Sequence, residues 1–283
     1  MEFILSDLRD GYVDLVRHVA DHGRRVESRG LATRELVNVG LIFPSTIHAL
    51  LPTGVGRGVN TKLAAVEALS LIGGTCSPDL LRQAAPQYDA VLLNPDDIRY
   101  GAYGPRTAMQ LAECVTLLRR EPGTRRAVMS IWSKDDLTHQ GDRPCTVFLQ
   151  FLVRDNYLEL HTYMRSQDVW LGTPYDVFMF TQLQCTVARM LRLPSGQYTH
   201  HATSLHLYES NVDDVAKLHY GAEGSGQLLY ELPLGVTLPD DSQLDDELAI
   251  AHYLLHGTSY AAEREANPWY AARLDETRRR EAL

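Results

Sequence analysis

The stretch that decides the fold is RPCTVFLQFLVRDNYLELHTYMRSQDVWLGTPYDVFMF, residues 143–180. Residues 146–153 are apolar and are followed by a polar turn signal. Residues 157–165 alternate, so their apolar side chains fall on one face of a strand and their polar ones on the other. An apolar stripe at helical spacing then begins near Asp176. The stretch therefore predicts two strands followed by a buried helix.

Polar groups gather at the ends of these predicted elements. Cys145 follows a proline at the start of the first strand, and Arg165, Ser166, Asp168 and Asp176 come between the second strand and the helix. An arginine fork and a hydroxyl both donate to phosphate oxygens. A guanidinium near the thiol is expected to lower its pKa below the ordinary value of about 8.5. Taken singly, Cys145 also fits a small core residue and Asp176 a helix N-cap.

Composition limits the classes of protein to consider. The 283 residues are 45% hydrophobic and 22% charged, which is typical of a globular protein, and we expect a single domain over 1–283. A net charge of −9 argues against a dedicated nucleic-acid partner. No apolar run reaches about 18 residues and the start lacks signal-peptide features, so no membrane span or export is expected. The scattered cysteines suggest neither a metal site nor disulfides, which favours a cytoplasmic protein.

The polar groups belong to a longer ordered series of short motifs. In chain order the series is Pro144-Cys145, Gln150-Phe151, Arg165-Ser166-x-Asp168, Leu171-Gly172-x-Pro174-Tyr175 and His206-x-Tyr208. This series resembles the thymidylate synthase family, most strongly from about residue 125 to 211. Upstream, Glu67 in a predicted helix over 61–73 resembles the family's active-site glutamate, and Tyr103-Gly104 resembles its Tyr-Gly.

The resemblance implies a role for each residue of these motifs. The Cys145 thiolate would add to C6 of a pyrimidine nucleotide, and C5 would take a one-carbon unit from 5,10-methylenetetrahydrofolate. Glu67 would order water and move protons, and Asp176 would contact the base. The other implied roles are phosphate binding by Arg29, Arg125, Arg126, Arg165 and Ser166, sugar binding by His206 and Tyr208, and folate binding by Asp168 and Gly172. Arg24, Arg25 and Arg34 are close enough to Arg29 to compete for its role.

The resemblance also implies an architecture. The expected fold class is α/β, a thymidylate synthase-like twisted mixed β-sheet flanked by helices, whose sheet forms the back of a homodimer interface. Arg125 and Arg126 would cross that interface to the phosphate bound by the partner subunit.

One departure from the family pattern bears on the substrate. The family places an asparagine at the position of Asp176, and that asparagine reads uracil. A carboxylate accepts from the N4 amine of cytosine but repels O4 of uracil, and reading N3 as well requires a bridging water or a shared proton. The cytidylate 5-hydroxymethylase branch of the family shows this change. That branch serves nucleoside-antibiotic biosynthesis, which we favour here, or the synthesis of modified-base DNA in phages.

Other departures favour water over hydride as the final nucleophile. Thr146 replaces the histidine that usually follows the nucleophile, Tyr88 is the only aromatic in 85–94, and the charged end at 279–283 replaces an apolar tail. The sequence therefore predicts a folate-dependent hydroxymethyltransferase acting on CMP or dCMP. Two alternatives remain, namely a thymidylate synthase that methylates dUMP and a catalytically silent nucleotide- or RNA-binding relative.

Overall fold

The predicted pair of strands is present and forms a tight hairpin. The computed structural model describes residues 1–5, 8–44, 51–87 and 98–220. Within it, β5 (Thr146–Arg154) and β6 (Tyr157–Met164) pair in antiparallel fashion. Asp155 and Asn156 join them with positive φ angles of 51° and 63°. Such angles suit a two-residue turn whose twist matches that of the strands, and Asp and Asn tolerate them best after glycine.

The hairpin lies inside a mixed sheet. The remaining strands are β1 (Glu2–Ile4), β2 (Arg24–Ser28), β3 (Leu31–Phe43), β4 (Val128–Ser130), β7 (Gln167–Asp168) and β8 (Ser195–Tyr208). The strand order is β1-β3-β8-β6-β5-β4, with β2 paired to β3 and β7 paired to β8. The β1–β3, β6–β8 and β7–β8 pairs are parallel, and the others are antiparallel. The predicted mixed α/β class is confirmed.

Helices cover one face of the sheet. They are α1 (Leu8–His22), α2 (Thr61–Ile72), α3 (Pro78–Ala84), α4 (Ile98–Gly101), α5 (Tyr103–Arg120), α6 (Thr173–Leu191) and α7 (Val212–Val215), with short 3-10 turns at Lys134–Leu137 and Glu209–Asn211. The α6 helix is the central one, because it packs on β6 and β8 below and on α2 and α5 beside it. Its predicted stripe is buried throughout. No helix in the described part of the chain is long and apolar enough to span a membrane.

The two faces of the sheet differ in character, as the alternation in β6 predicts. Leu158, Leu160 and their inward neighbours along the strand are buried under the helices. The opposite face is half-buried, and there Tyr163 stacks between Phe148 and His201 at centroid distances of 4.3 and 4.6 Å. This second face is the one that the resemblance assigns to a homodimer interface, which stays a prediction.

Several element boundaries differ from expectation. The central helix begins at Thr173, three residues before Asp176, because Gly172 is its N-cap and a proline occupies its first turn. The helix expected over 61–73 ends one residue earlier, at Ile72. The charged end at 279–283 and Tyr88 lie outside the described residues.

Candidate active site

Cys145 lies where β5 loses its regular pairing. The register shifts between Thr146 and Phe148, and such bulges re-aim side chains at the ends of strands. The Cys145 carbonyl accepts from the backbone N–H of Arg165 at 2.9 Å, which ties the thiol to the end of β6. The Arg165 guanidinium donates to the Pro144 carbonyl at 2.9 Å and lies 3.8 Å from the Cys145 sulfur. The predicted proximity of thiol and arginine is therefore present.

The thiol is nevertheless less acidic than the sequence suggested. Burial raises the pKa of Cys145 above its ordinary value, and the negative charge of Asp176 raises it further. The positive charges of Arg165 and Arg29 lower it but do not offset burial. The expectation of a net lowering was wrong because sequence spacing places the guanidinium near the sulfur without showing how much water the fold removes.

Asp176 is held by a neighbouring side chain and does not cap its helix. The Gln167 amide Nε2 donates to Asp176 Oδ2 at 2.8 Å. Burial raises the pKa of Asp176 from 3.8 to about 7, against the lowering effect of the Gln167 hydrogen bond, and the nearby Asp168 raises it further. The N-cap interpretation was wrong, since Gly172 takes that position. The carboxyl is therefore close to half-protonated at neutral pH.

A cavity of about 260 Å³ brings the central candidates together. Cys145, Asp176 and Glu67 all line it, together with Tyr103. Glu67 lies in α2, and Asn60 is the N-cap of that helix. Asn60 Oδ1 accepts from the backbone N–H of residue 63 at 3.0 Å. Cysteine and two carboxylates on separate elements thus meet at one opening.

A glycine allows the helices that carry Glu67 and Tyr103 to approach each other. A Cβ on Gly104 would lie 2.2 Å from the Thr75 carbonyl oxygen and 2.3 Å from that of Ser70. Any larger residue would therefore push α5 away from the end of α2. Burial raises the pKa of Tyr103 well above its ordinary value, and the charges of Asp176 and Cys145 add to the effect. Its phenol is a neutral hydrogen-bonding group beside the thiol.

Asp168, His206 and Tyr208 form a neighbouring group. Parallel pairing of β7 and β8 sets Asp168 opposite His206, whose ring meets that of Tyr208 edge-on at 5.3 Å. Asp168 Oδ1 accepts from the backbone N–H groups of residues 170 and 171 at 2.7 and 2.9 Å. Its Oδ2 is buried with no hydrogen-bond partner among the described residues. Burial raises the pKa of Asp168 and lowers that of His206.

The basic residues fall into two groups. Arg29 is exposed in the β2–β3 turn, yet its charge acts on both Cys145 and His206. Its competitors are ion-paired, Arg24 with Glu35 and both Arg25 and Arg34 with Glu209. This favours Arg29 as the arginine nearest the thiol among the four.

The other basic pair lies away from the cavity. Arg125 and Arg126 are exposed before β4 and are not among the residues that line it. Arg126 pairs with Glu121, and the Arg125 carbonyl accepts from Gln150 at 2.9 Å. Ser166 is half-buried between Arg165 and Gln167. A role for Arg125 and Arg126 across a dimer interface stays a prediction.

Sequence reasoning missed three residues behind Asp176. Gln167 occupies the unspecified position of the motif between Ser166 and Asp168. Tyr198 and His200 lie in β8, and His200 is 33 residues after Gln167 in the sequence. His200 contacts Gln167 at 3.1 Å and Tyr198 at 2.8 Å. No local sequence pattern marks them, because side-chain contacts between residues far apart along the chain bring them together.

Comparison with known proteins gives a consistent result. The family model described as thymidylate synthase matches residues 10–220. A protein named thymidylate synthase 1/2 from Encephalitozoon cuniculi (strain GB-M1) is 26% identical over 266 residues, covering 83% of this chain and 90% of that protein. The thymidylate synthase of Listeria monocytogenes serotype 4a (strain HCC23) is 31% identical over 109 residues, covering 38% of this chain and 35% of that protein.

Proposed function

The chain belongs to the thymidylate synthase family of folate-dependent pyrimidine one-carbon transferases, and we propose that it converts CMP or dCMP to the 5-hydroxymethyl nucleotide. The single observation that carries the choice of cytosine is Asp176, a carboxyl with a pKa of about 7 in the same cavity as Cys145. The family's asparagine at this position reads uracil, whereas a carboxyl presents different hydrogen-bonding groups.

The preference for cytosine follows from donor and acceptor matching. Cytosine presents an amine at N4 and an acceptor at N3, so a carboxyl that holds or shares one proton satisfies both. Uracil presents O4 and N3–H, so an ionised carboxylate repels its O4, and a carboxyl whose proton faces N3 leaves its N3–H without an acceptor. A polar pocket rejects a base that leaves its buried groups unpaired more strongly than an apolar pocket can. The raised pKa of Asp176 supports proton sharing near neutral pH.

Cys145 is the proposed nucleophile toward C6, which would make C5 nucleophilic. Because burial raises the pKa of the thiol, the S–H proton must pass to a base in the cavity, for which the Glu67 carboxylate is the proposed acceptor, as the sulfur bonds to C6. Arg165 at 3.8 Å stabilises the negative charge on the sulfur as the proton leaves. Glu67 and Tyr103 line the same cavity and are placed to order water and hold protons near C5. Water as the final nucleophile is part of the proposal.

The residues present fit a folate co-substrate. When bound, 5,10-methylenetetrahydrofolate supplies the one-carbon unit. The unpartnered, buried Asp168 Oδ2 offers an acceptor to the N–H groups of a pterin, while Oδ1 is fixed by two backbone N–H groups. Gly172 follows Asp168 by four residues, and its backbone N–H donates to the Asp168 carbonyl at 3.1 Å, which keeps it beside this carboxyl.

The phosphate and sugar would be held by the surrounding basic and polar groups. Arg165, Ser166 and Arg29 are proposed phosphate ligands, and the edge-on His206 and Tyr208 pair is proposed to contact the sugar hydroxyls. The exposed Arg125 and Arg126 would complete the phosphate site of a partner subunit in a homodimer. A crosslinking or sedimentation measurement of the mass in solution tests the dimer.

The experiment that tests the function offers the purified protein methylenetetrahydrofolate with CMP, dCMP, UMP or dUMP in separate reactions. Mass spectrometry then distinguishes hydroxymethyl from methyl products. We expect hydroxymethylation of a cytosine nucleotide and its loss in Cys145→Ala, together with loss of tritium release from C5-labelled substrate. Methylation of dUMP in preference would instead identify a thymidylate synthase, the candidate favoured by the names of both relatives. Binding without any turnover would identify a silent relative.

A further inference from the structure

A chain of buried polar side chains ends on the carboxyl that faces the cavity. Tyr198 OH lies 2.8 Å from His200 Nδ1, His200 Nε2 lies 3.1 Å from Gln167 Oε1, and Gln167 Nε2 donates to Asp176 at 2.8 Å. Tyr198 and His200 are fully buried and Gln167 is 2% exposed. Buried polar networks of this kind are retained only when their members are satisfied, and here each bond supports the next.

The orientation of the Gln167 amide, with Nε2 toward Asp176 and Oε1 toward His200, implies one polarity for this chain of hydrogen bonds. Burial lowers the pKa of His200 to about 3, so the ring is neutral and carries one proton. If that proton is on Nε2, His200 donates to Gln167 Oε1 and its Nδ1 accepts from the Tyr198 hydroxyl. Gln167 must then present Nε2, and not Oε1, to Asp176. The reverse polarity would require Asp176 to donate from Oδ2, and the carboxyl proton would no longer be available to a ligand.

Close packing keeps Gln167 in this position. A Cβ on Gly172 would lie 2.7 Å from Gln167 Nε2 and 3.2 Å from Asp176 Oδ2. The φ of Gly172 is −98°, which any residue adopts. Glycine is therefore needed at this position for close packing and not for its backbone conformation. The Gln167 hydrogen bond reaches Oδ2 of Asp176, and Asp176 is one of the residues that line the cavity.

We propose that Gln167, His200 and Tyr198 are positioning residues that engage Asp176 Oδ2 and thereby leave a proton on Oδ1 for N3 of a cytosine, which makes them determinants of base choice. The proposal rests on the proposed function, because it needs Asp176 to read the base. It extends the determinant of base choice from the Asp176 carboxyl to a series of hydrogen-bonded side chains that begins at Tyr198, 22 residues after Asp176 in the sequence.

The test compares two glutamine substitutions of equal size. Gln167→Met removes the donor to Asp176. Gln184→Met is the matched control, since Gln184 is also fully buried but donates to the carbonyl of Leu158 and others, away from Asp176. Dissociation constants for CMP and UMP are measured by calorimetry without folate, from pH 5.5 to 8.5, with thermal unfolding as a check of folding.

We expect Gln167→Met to lower the CMP-over-UMP binding ratio by about tenfold, the effect of one hydrogen bond. The pH at which this ratio changes should move upward, because the Gln167 hydrogen bond holds the pKa of Asp176 down. Gln184→Met should change neither. His200→Phe should give a smaller loss of the ratio, and Gly172→Ala should reproduce the Gln167→Met effect by steric displacement.

The outcomes separate the two proposals. A wild-type protein that prefers UMP, or does not discriminate, would overturn the proposed function itself. A wild-type preference for CMP that Gln167→Met and Gln184→Met reduce equally, with no movement in pH dependence, would leave the function standing and refute the positioning role.

Discussion

The stability of Asp176→Asn relative to wild type should depend strongly on pH. The folded protein raises the pKa of this carboxyl from 3.8 to about 7, chiefly by burial. At about 1.4 kcal/mol for each tenfold change in proton affinity, the rise corresponds to about 4 kcal/mol. That figure is an upper limit, because water in the open cavity stabilises the ionised form. We expect a measured change of about 1 to 4 kcal/mol.

The direction follows from which state binds the proton more tightly. Below pH 3.8 the carboxyl is protonated in both the folded and the unfolded chain, so it changes nothing. Between that pH and about 7 the unfolded chain releases the proton first, so the wild-type protein loses stability as the pH rises. Asparagine has the same shape and does not ionise. The variant should therefore gain on wild type across this window and keep a constant advantage above it.

Urea unfolding at fixed protein concentration, followed at half-unit steps from pH 4.5 to 8.5, measures the difference. Asp155→Asn is the matched control, since Asp155 is exposed in the β5–β6 turn, where asparagine also tolerates a positive φ. The reasoning is refuted if the free-energy difference between Asp176→Asn and wild type is independent of pH, or if it favours the aspartate as pH rises.

Two further predictions concern the thiol and a buried ion pair. The rate of alkylation of Cys145 by iodoacetamide, followed by peptide mass spectrometry, should still increase above pH 9.0, because burial raises the pKa of the thiol. Arg165→Gln should move this increase in rate to higher pH, and Arg165→Lys should restore it. An alkylation rate that reaches its plateau by pH 8 would contradict this. Arg106 binds the fully buried Asp136 through two hydrogen bonds of 2.8 and 2.9 Å, so Arg106→Met should reduce the free energy of unfolding by about 3–5 kcal/mol in urea melts. A decrease in the free energy of unfolding below about 1 kcal/mol, as for an exposed ion pair, would show that the Arg106–Asp136 pair is accessible to water.

Much of the fold follows from local sequence patterns. The alternation in residues 157–164, the Asp155-Asn156 turn and the stripe in α6 each depend on residues two to four apart along the chain. Side-chain spacing decides which face meets the core, so these elements were predictable. The ordered motifs around Cys145 and Asp176 likewise indicated the family, which the match over residues 10–220 supports.

The tertiary structure alone decided the electrostatics of the site. The sequence placed a guanidinium near Cys145, but only the packed fold shows that burial outweighs it and raises the thiol pKa. Only the folded chain brings the Gln167 side chain into contact with both His200, in β8, and Asp176, in α6. Local patterns record which side chains point inward, whereas solvent exclusion and contacts between distant strands depend on how the whole chain is packed.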